Sequence, residues 1–203
     1  MAITFQYNKT SLQSLEKNLK MRVRALPTLK NKESALRMEV KKAKDEVAIL
    51  DERMEKAITS YDQMLSLWGE FDTSLLRVED VRMSVRKIAG VRVPVLDEVV
   101  FVEKPFSLFS SPKWYADGFV QLKELAQIGI EQEFSRHKLS LLDYARKKST
   151  QKVNLFEKVQ IPGYEDAIRK IKRFMEDEEN LSKSSQKIVK GKREREDALK
   201  IEN

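Results

Sequence analysis

The chain has 203 residues, with 39 Lys plus Arg against 32 Asp plus Glu, one His and no Cys. The lack of Cys excludes disulfides, thiolate metal sites and a Cys nucleophile and fits a reducing compartment, and a lone His excludes a His-rich metal centre. With only 6 Gly and 5 Pro beside 35% charged and 41% hydrophobic residues, the composition favours long amphipathic helices over a turn-rich β protein.

The first element is a heptad repeat. Stepping by seven from Leu12 gives Leu12, Leu19, Leu26, Glu33, Val40, Val47, Met54, Tyr61 and Trp68. The companion positions three residues on are Leu15, Arg22, Leu29, Leu36, Ala43, Leu50, Ala57, Met64 and Phe71. Sixteen of these eighteen positions are apolar, and a 3.5-residue period held over nine heptads marks a coiled-coil seam rather than the drifting stripe of a short globular helix. The pattern predicts a helix from about Ser11 to about Leu76, on the order of 90 to 100 Å long at ~1.5 Å per residue. Pro27 removes one backbone hydrogen bond, and the same seam resumes beyond it, so a kink near Val23 to Leu26 is expected rather than an end.

The middle changes character. Val91, Val93 and Val95 alternate, Asp97-Glu98 interrupts, and Val99 to Val102 is a β-favouring run, which together predict a short β-hairpin or extended excursion with Pro94 on an edge. Phe101, Phe106, Phe109, Trp114, Tyr115 and Phe119 put six of the sixteen aromatic residues within nineteen positions. Such a cluster either packs the tip of a helical hairpin or docks a partner. Phe101, Phe106, Phe109, Trp114 and Tyr115 are the partner-contact candidates.

A second helix is expected from about Gly118 to Lys158, with Phe119, Leu122, Leu125, Ile128, Phe134, Leu141 and Ala145. Beyond Pro162-Gly163 the apolar positions Ile168, Ile171 and Met175 continue an approximate heptad through Ser182, Ser185 and Val189. A kink is expected at Pro162, since Val153, Phe156 and Val159 before it can share a face with Ile168 and Ile171 after it. The fold class is therefore all-α dominated: a long antiparallel two-helix coiled coil with a short β-hairpin or irregular excursion in the middle. The divisions are 1–87, a long coiled-coil helix; 88–117, a hairpin and aromatic-rich connector; and 118–203, a long helix with a basic tail that frays after Gly191.

Charge is segregated. Residues 1–44 carry +8, 45–133 carry −7 and 134–203 carry +6, so doubling the chain back puts both basic segments at one end. Basic ends attract nucleic acid regardless of sequence, but no recognition motif accompanies them. The longest charge-free runs, Met1–Asn8 and Pro105–Pro112, are eight residues, far short of the roughly 20 needed to span a bilayer. No basic segment followed by an apolar stretch opens the chain. A cytoplasmic protein without direct membrane insertion is expected. Gly191-Lys192 lacks the upstream glycines of a phosphate loop, and His137, Ser140 and Asp143 lie along one helix face rather than forming a triad. Glu178-Glu179 has no apolar wall to raise a pKa. No catalytic, metal or cofactor site is expected.

Three blocks carry a resemblance. They are Leu29-Lys30-Asn31-Lys32-Glu33-Ser34-Ala35-Leu36; Ile88-Ala89-Gly90-Val91-Arg92-Val93-Pro94-Val95; and Lys152-Val153-Asn154-Leu155-Phe156-Glu157-Lys158-Val159-Gln160-Ile161-Pro162. In order and spacing they resemble the D subunit of the V-type ATPases, over roughly residues 8 to 190. The matching signature positions are Gly90, Pro94, Val153, Asn154, Glu157, Ile161 and Pro162. Pro27 stands where the family has an ordinary helix former, and Gln151-Lys152 where it has an Arg pair.

The resemblance implies a non-catalytic central-stalk rotor shaft. In this family the paired terminal helices insert into the pore of the hexamer of catalytic and non-catalytic subunits, and the middle region faces the membrane sector and its socket subunit. The small F subunit of the stalk binds alongside, and the complex holds the shaft peripherally at the membrane. A knobs-into-holes helix pair supplies the stiffness that torque transmission needs, with the seam set at Leu12, Leu15, Leu19, Leu26, Leu29, Leu36, Val40, Val47, Leu50, Met54, Ile168 and Ile171. A coiled-coil scaffold or adaptor outside any motor explains the heptads but not the ordered blocks. A nucleic-acid binder explains the basic ends but not the seam.

Overall fold

The computed structural model describes residues 3–61, 68–105 and 111–201. Helix α1 spans Lys9–Tyr61 and continues through Pro27. Asn8 caps it, its Oδ1 accepting the Ser11 backbone N–H at 2.7 Å, which satisfies one of the donors a helix start leaves open. Short 3₁₀ turns follow at Trp68–Glu70 and Thr73–Leu75. Strand β1 is Leu76–Ile88 and strand β2 is Val91–Glu103. Helix α2 is Tyr115–Asn154, a π-helical turn occupies Leu155–Gln160, and helix α3 is Ile161–Ile201. The fold is thus a helical coiled coil with a β-hairpin.

Packing divides the chain into two compact units. The first joins residues 1–30 to 151–203. Lys30 Nζ pairs with Glu157 at 2.7 Å and Lys172 Nζ with Glu16 at 2.9 Å, so α1 and α3 run antiparallel here. Leu15, Ala167, Ile168 and Ile171 are buried between them, supported by Leu12, Leu19, Tyr164 and Met175. Residues 3–7 fold back onto this pair. Ile3 and Phe5 join the cluster, and Tyr7 stacks on Phe174 with centroids 4.8 Å apart. A Cβ at Gly163 would lie 3.0 Å from Ile3 Cδ1, so the missing side chain makes room for that strap.

The second unit comprises residues 31–150. Thr150 donates to Glu33 at 3.0 Å, Lys138 to Glu46 at 2.7 Å and Arg136 to Asp51 at 3.0 Å, again an antiparallel register, now between α1 and α2. The hairpin lies along these helices. Val93 is buried with Leu36, Val40, Ala43 and Leu142, flanked by Ile88, Val91, Leu139, Leu141 and Ala145. At the other end Lys123 Nζ of α2 bonds Glu103 at 2.6 Å.

Two sequence expectations change. The helix expected to reach about Leu76 ends at Tyr61 among the described residues, and the hairpin expected within 91–102 begins well before that range, at Leu76. Its turn is Ala89-Gly90, with φ of 49° and 84°. Two central residues with positive φ match the right-handed twist of paired strands, whereas Asp97-Glu98, read as an interruption, lies inside β2. The pairing skips one residue between Val78 and Asp80 and another opposite Arg82/Met83. These bulges let charged residues sit in a ladder that stays continuous on either side.

The helix expected to kink at Pro162 meets it differently. A Pro ring clashes with the carbonyl four residues back and supplies no N–H. The chain answers with a π turn, in which the Ile161 N–H bonds the Phe156 carbonyl five residues back. Half-buried Val153 precedes the turn and half-buried Phe156 lies within it, and Ile161, Tyr164, Ile168, Ile171 and Met175 follow on the buried side. The step from Phe156 to Ile161 is one residue longer than a heptad allows, and the π turn absorbs that residue. Val159, placed on the shared face by spacing alone, is exposed.

Candidate functional site

No helix among the described residues is long and apolar enough to cross a membrane, and no group of His, Asp and Glu among them is placed to hold a metal ion. Asp143 spends its carboxylate on Lys147 and Arg146, at 3.0 and 2.9 Å, and these two hold its pKa below the usual range. A groove of about 380 Å³ beside the N-terminal strap, lined by Ile3, Ser14, Asn18, Gln160 and Tyr164, has no carboxylate, Lys or His in its wall.

The seam comes first. Every heptad position from Leu12 to Tyr61 is buried or half-buried, while most other α1 positions are exposed. Leu15, Leu36, Val40, Ile168 and Ile171 are buried; Leu12, Leu19, Leu26, Leu29, Val47, Leu50 and Met54 are half-buried. Met64 lies outside the described residues. The two charged seam positions are both partnered. Glu33 accepts from Arg37 at 2.8 Å and from Thr150, and the Arg37 hydrogen bond leads in lowering its pKa against the opposing effect of burial. Arg22 Nε donates to Gln160 at 2.7 Å.

The signature residues fall at special backbone places. Gly90 occupies the turn, where its φ of 84° is a left-handed conformation that a Cβ disfavours. Pro94 sits in β2 opposite Val85. Val153 and Asn154 close α2, Glu157 lies in the π turn and pairs with Lys30, and Ile161 and Pro162 open α3.

The aromatic candidates divide. Phe106 and Phe109 lie outside the described residues. Phe101 is half-buried, with Lys123 Nζ 5.4 Å from its ring centre. Tyr115 is buried and packs at a tilt against Phe71, ring centres 4.9 Å apart, and edge-on against half-buried Trp114 at 5.1 Å. Its hydroxyl accepts the Asp72 N–H at 2.8 Å and donates to the Glu70 carbonyl at 3.1 Å. That cluster fixes the approach to β1. Burial pushes the Tyr61 phenol up to about 12, with the Glu124 charge adding to it.

Sequence reasoning missed two exposed apolar surfaces. On β1, Met83 and Val85 are 64% and 68% exposed; the alternation Val81, Met83, Val85 was the available signal. On α3, every residue from Glu176 to Lys190 is exposed, Leu181 most among the apolar ones at 70%. The register explains the second. With Lys30 opposite Glu157 and Glu16 opposite Lys172, α1 begins at Lys9 and runs out opposite about Glu179 at one residue per residue. Ser182, Ser185 and Val189 thus continue the heptad with no partner helix among the described residues of this unit.

Comparison with known proteins places the sequence in a family. The V-type ATP synthase D subunit of Borreliella burgdorferi is 31% identical over 185 residues, covering 90% of this chain and 91% of that protein. Those of Chlamydia trachomatis serovar L2 and Chlamydia pneumoniae are 28% and 29% identical, covering 95% of this chain and 97% and 94% of theirs. The sequence profile of the ATP synthase D subunit family matches residues 11–191, taking in the seam, the hairpin and the π turn together, and the chain belongs to that family.

Proposed function

We propose that this chain is the central-stalk rotor shaft of a V-type ATPase, a non-catalytic component that carries torque between the catalytic hexamer and the ion-translocating ring. The observation that supports this best is the seam, a 3.5-residue period realised as a buried stripe from Leu12 to Tyr61 and met by an antiparallel helix in each compact unit. Knobs-into-holes packing resists relative sliding of two helices, which is what a torque-bearing element needs. The rest of the surface is mostly charged, with ion pairs such as Lys56–Glu52 and Lys183–Glu179 along single helices, so a rotating shaft meets no deep apolar well in any one orientation.

The partners follow from the two surfaces left open. The exposed stretch of α3 beyond about Glu179 enters the pore of the hexamer of catalytic and non-catalytic subunits. The hairpin face with Met83 and Val85, and Phe101 and Trp114 nearer the start of β1, meet the small F subunit of the stalk and the membrane-sector socket. Tyr115 contributes from within, by holding the start of β1. The protein is then peripheral at the membrane through its complex. Affinity purification of the tagged chain from native membranes, followed by mass spectrometry, tests the reading. Catalytic hexamer subunits are expected with it, and the purified chain alone is expected to turn over no ATP while restoring coupled activity to a hexamer that lacks it. Recovery without any ATPase subunit, or ATP turnover by the chain itself, overturns the proposal.

A further inference from the structure

We propose that the level of the helix pair spanning Arg22–Lys30 and Leu155–Pro162 is a built-in compliant joint, and that Arg22 is the latch that sets its stiffness. The joint is a property of these residues alone; its meaning for torque transmission rests on the shaft reading above.

Three observations carry it. Pro27 lies inside α1 and has no N–H, so the Val23 carbonyl lacks the donor an α-helix would supply. On the facing helix, the turn before Pro162 is π-helical, with the Ile161 N–H reaching back to the Phe156 carbonyl; such a turn departs from the α-helical ladder, and Pro162 brings no N–H to it. The two irregularities stand at one level, because Lys30 pairs with Glu157 and Arg22 with Gln160, both at 2.7 Å. Axial hydrogen bonds resist bending and stretching of a helix, and here both members of the pair are depleted of them together.

The latch is the one basic residue of the seam. Arg22 stands where most heptads carry an apolar side chain, and its guanidinium does four things at once. Nε donates to Gln160 Oε1, Nη1 donates to the Asn18 carbonyl at 3.2 Å, and the carbon centre lies 4.7 Å from the Tyr164 ring centre and 5.8 Å from that of Phe156. Phe156 and Gln160 belong to the π turn and Tyr164 to the α3 turn after it. The three are spaced by four residues and so share one helix face, and a single guanidinium thereby ties the π turn to the first turn of α3. A Leu at this position would fill the seam but would not tie the two turns together.

The test is amide hydrogen exchange on the full chain, compared with two variants. In the unmodified protein the amides of residues 157–161 are expected to exchange about tenfold or more faster than those of Ala167–Ile171, by local opening. In Arg22→Met, which keeps length and apolar packing, exchange at 157–161 is expected to rise a further several-fold while that of Ala167–Ile171 stays unchanged. Deleting exposed Lys158 together with Pro162→Ala restores ordinary heptad spacing between Phe156 and the former Ile161, and is expected to bring exchange in this turn down to that of its flanks. If residues 157–161 are as protected as Ala167–Ile171 in the unmodified chain, there is no joint. If Arg22→Met speeds exchange equally along the whole α1–α3 pair, Arg22 is an ordinary stabilising contact and the latch is refuted. None of these readouts requires a partner, so failure of the shaft reading leaves them standing.

Discussion

Leu36 is the position where the packing of the seam is most open to refutation. It is fully buried, and its neighbours Val40, Ala43, Val93 and Leu142 come from α1, β2 and α2. Leu36→Ala removes three carbons from a site walled on three sides by separate elements, so the walls collapse poorly into the space. A loss near the upper part of the Leu→Ala range is expected, ~3 to 5 kcal/mol. For a unit of this size that corresponds to a fall in melting temperature on the order of 10 °C. Leu50, half-buried beside a groove edged by Pro94, Val95, Leu96 and Phe134, already borders solvent, and Leu50→Ala should cost about 1 to 2 kcal/mol. Exposed Lys44 should cost no more than ~0.5 kcal/mol on changing to Ala. Urea unfolding followed by far-ultraviolet circular dichroism measures all three. Equal losses at Leu36 and Lys44 refute the seam, and equal losses at Leu36 and Leu50 refute the idea that β2 seals the core.

The turn offers a paired test: Gly90→Ala is expected to destabilise by ~1 to 2 kcal/mol through left-handed strain, since its added Cβ meets only the end of the Lys32 side chain, Nζ at 3.5 Å and Cε at 3.8 Å, whereas Ala89→Gly, at φ 49°, should cost nothing or stabilise slightly in the same denaturation assay. Glu33 and Asp143 have folded pKa values below their ordinary 4.5 and 3.8, so the unfolded chain binds protons more readily, and their contribution, complete above those values, declines as pH falls through the lower folded ones. Glu33→Gln should therefore flatten the acid limb of a stability-against-pH curve and leave its shape at pH 7 to 9 unchanged. Tyr61, raised to about 12 from 10, has the opposite sign: stability is complete below pH 10 and lost as pH rises toward 12, and Tyr61→Phe should remove that loss. Changing Met83 and Val85 to Ser together should leave stability within ~0.5 kcal/mol, as for other exposed sites, yet weaken assembly with the stalk partners in a pull-down; unchanged assembly removes the hairpin face from the interface.

What was legible in the sequence was whatever the period of apolar residues encodes. The seam from Leu12 to Tyr61 was readable because a 3.5-residue period held over many heptads has few alternative explanations, and its two polar members proved to be residues with partners across the pair. The hairpin was half legible. Valines at 91, 93, 95, 99, 100 and 102 reported β2, which faces the helices, but β1 mixes Arg77, Glu79, Asp80, Arg82, Arg86 and Lys87 with its apolar residues because all of it but Leu76, Val81 and Ile88 is exposed, and that charge density resembles a solvated helix. The turn was hidden because Ala89 takes a left-handed conformation more often filled by Asn or Gly. The π turn was hidden for a different reason: Pro162 announced a disturbance, but only the five-residue step from Phe156 to Ile161, set against the neighbouring three- and four-residue steps, says that the chain gains a residue rather than bends.

Two helices side by side cannot by themselves close a core, because each seam residue stays open to solvent along the edges of the contact. The burial pattern shows how each unit answers. In residues 31–150, complete burial of Leu36 and Leu142 occurs where β2 inserts Val93 over the helix pair. In the unit of residues 1–30 and 151–203, the buried group Leu15, Ala167, Ile168 and Ile171 is where the strap brings Ile3 and Phe5. Away from these covers the same kind of seam, at Leu26, Leu29 and Val47, is only half-buried, and among the described residues α3 is exposed from Glu176 to Lys190. The proposed insertion of this end of α3 into the hexamer pore would cover exposed Leu181 and Ile188, as β2 and the strap cover the seam elsewhere.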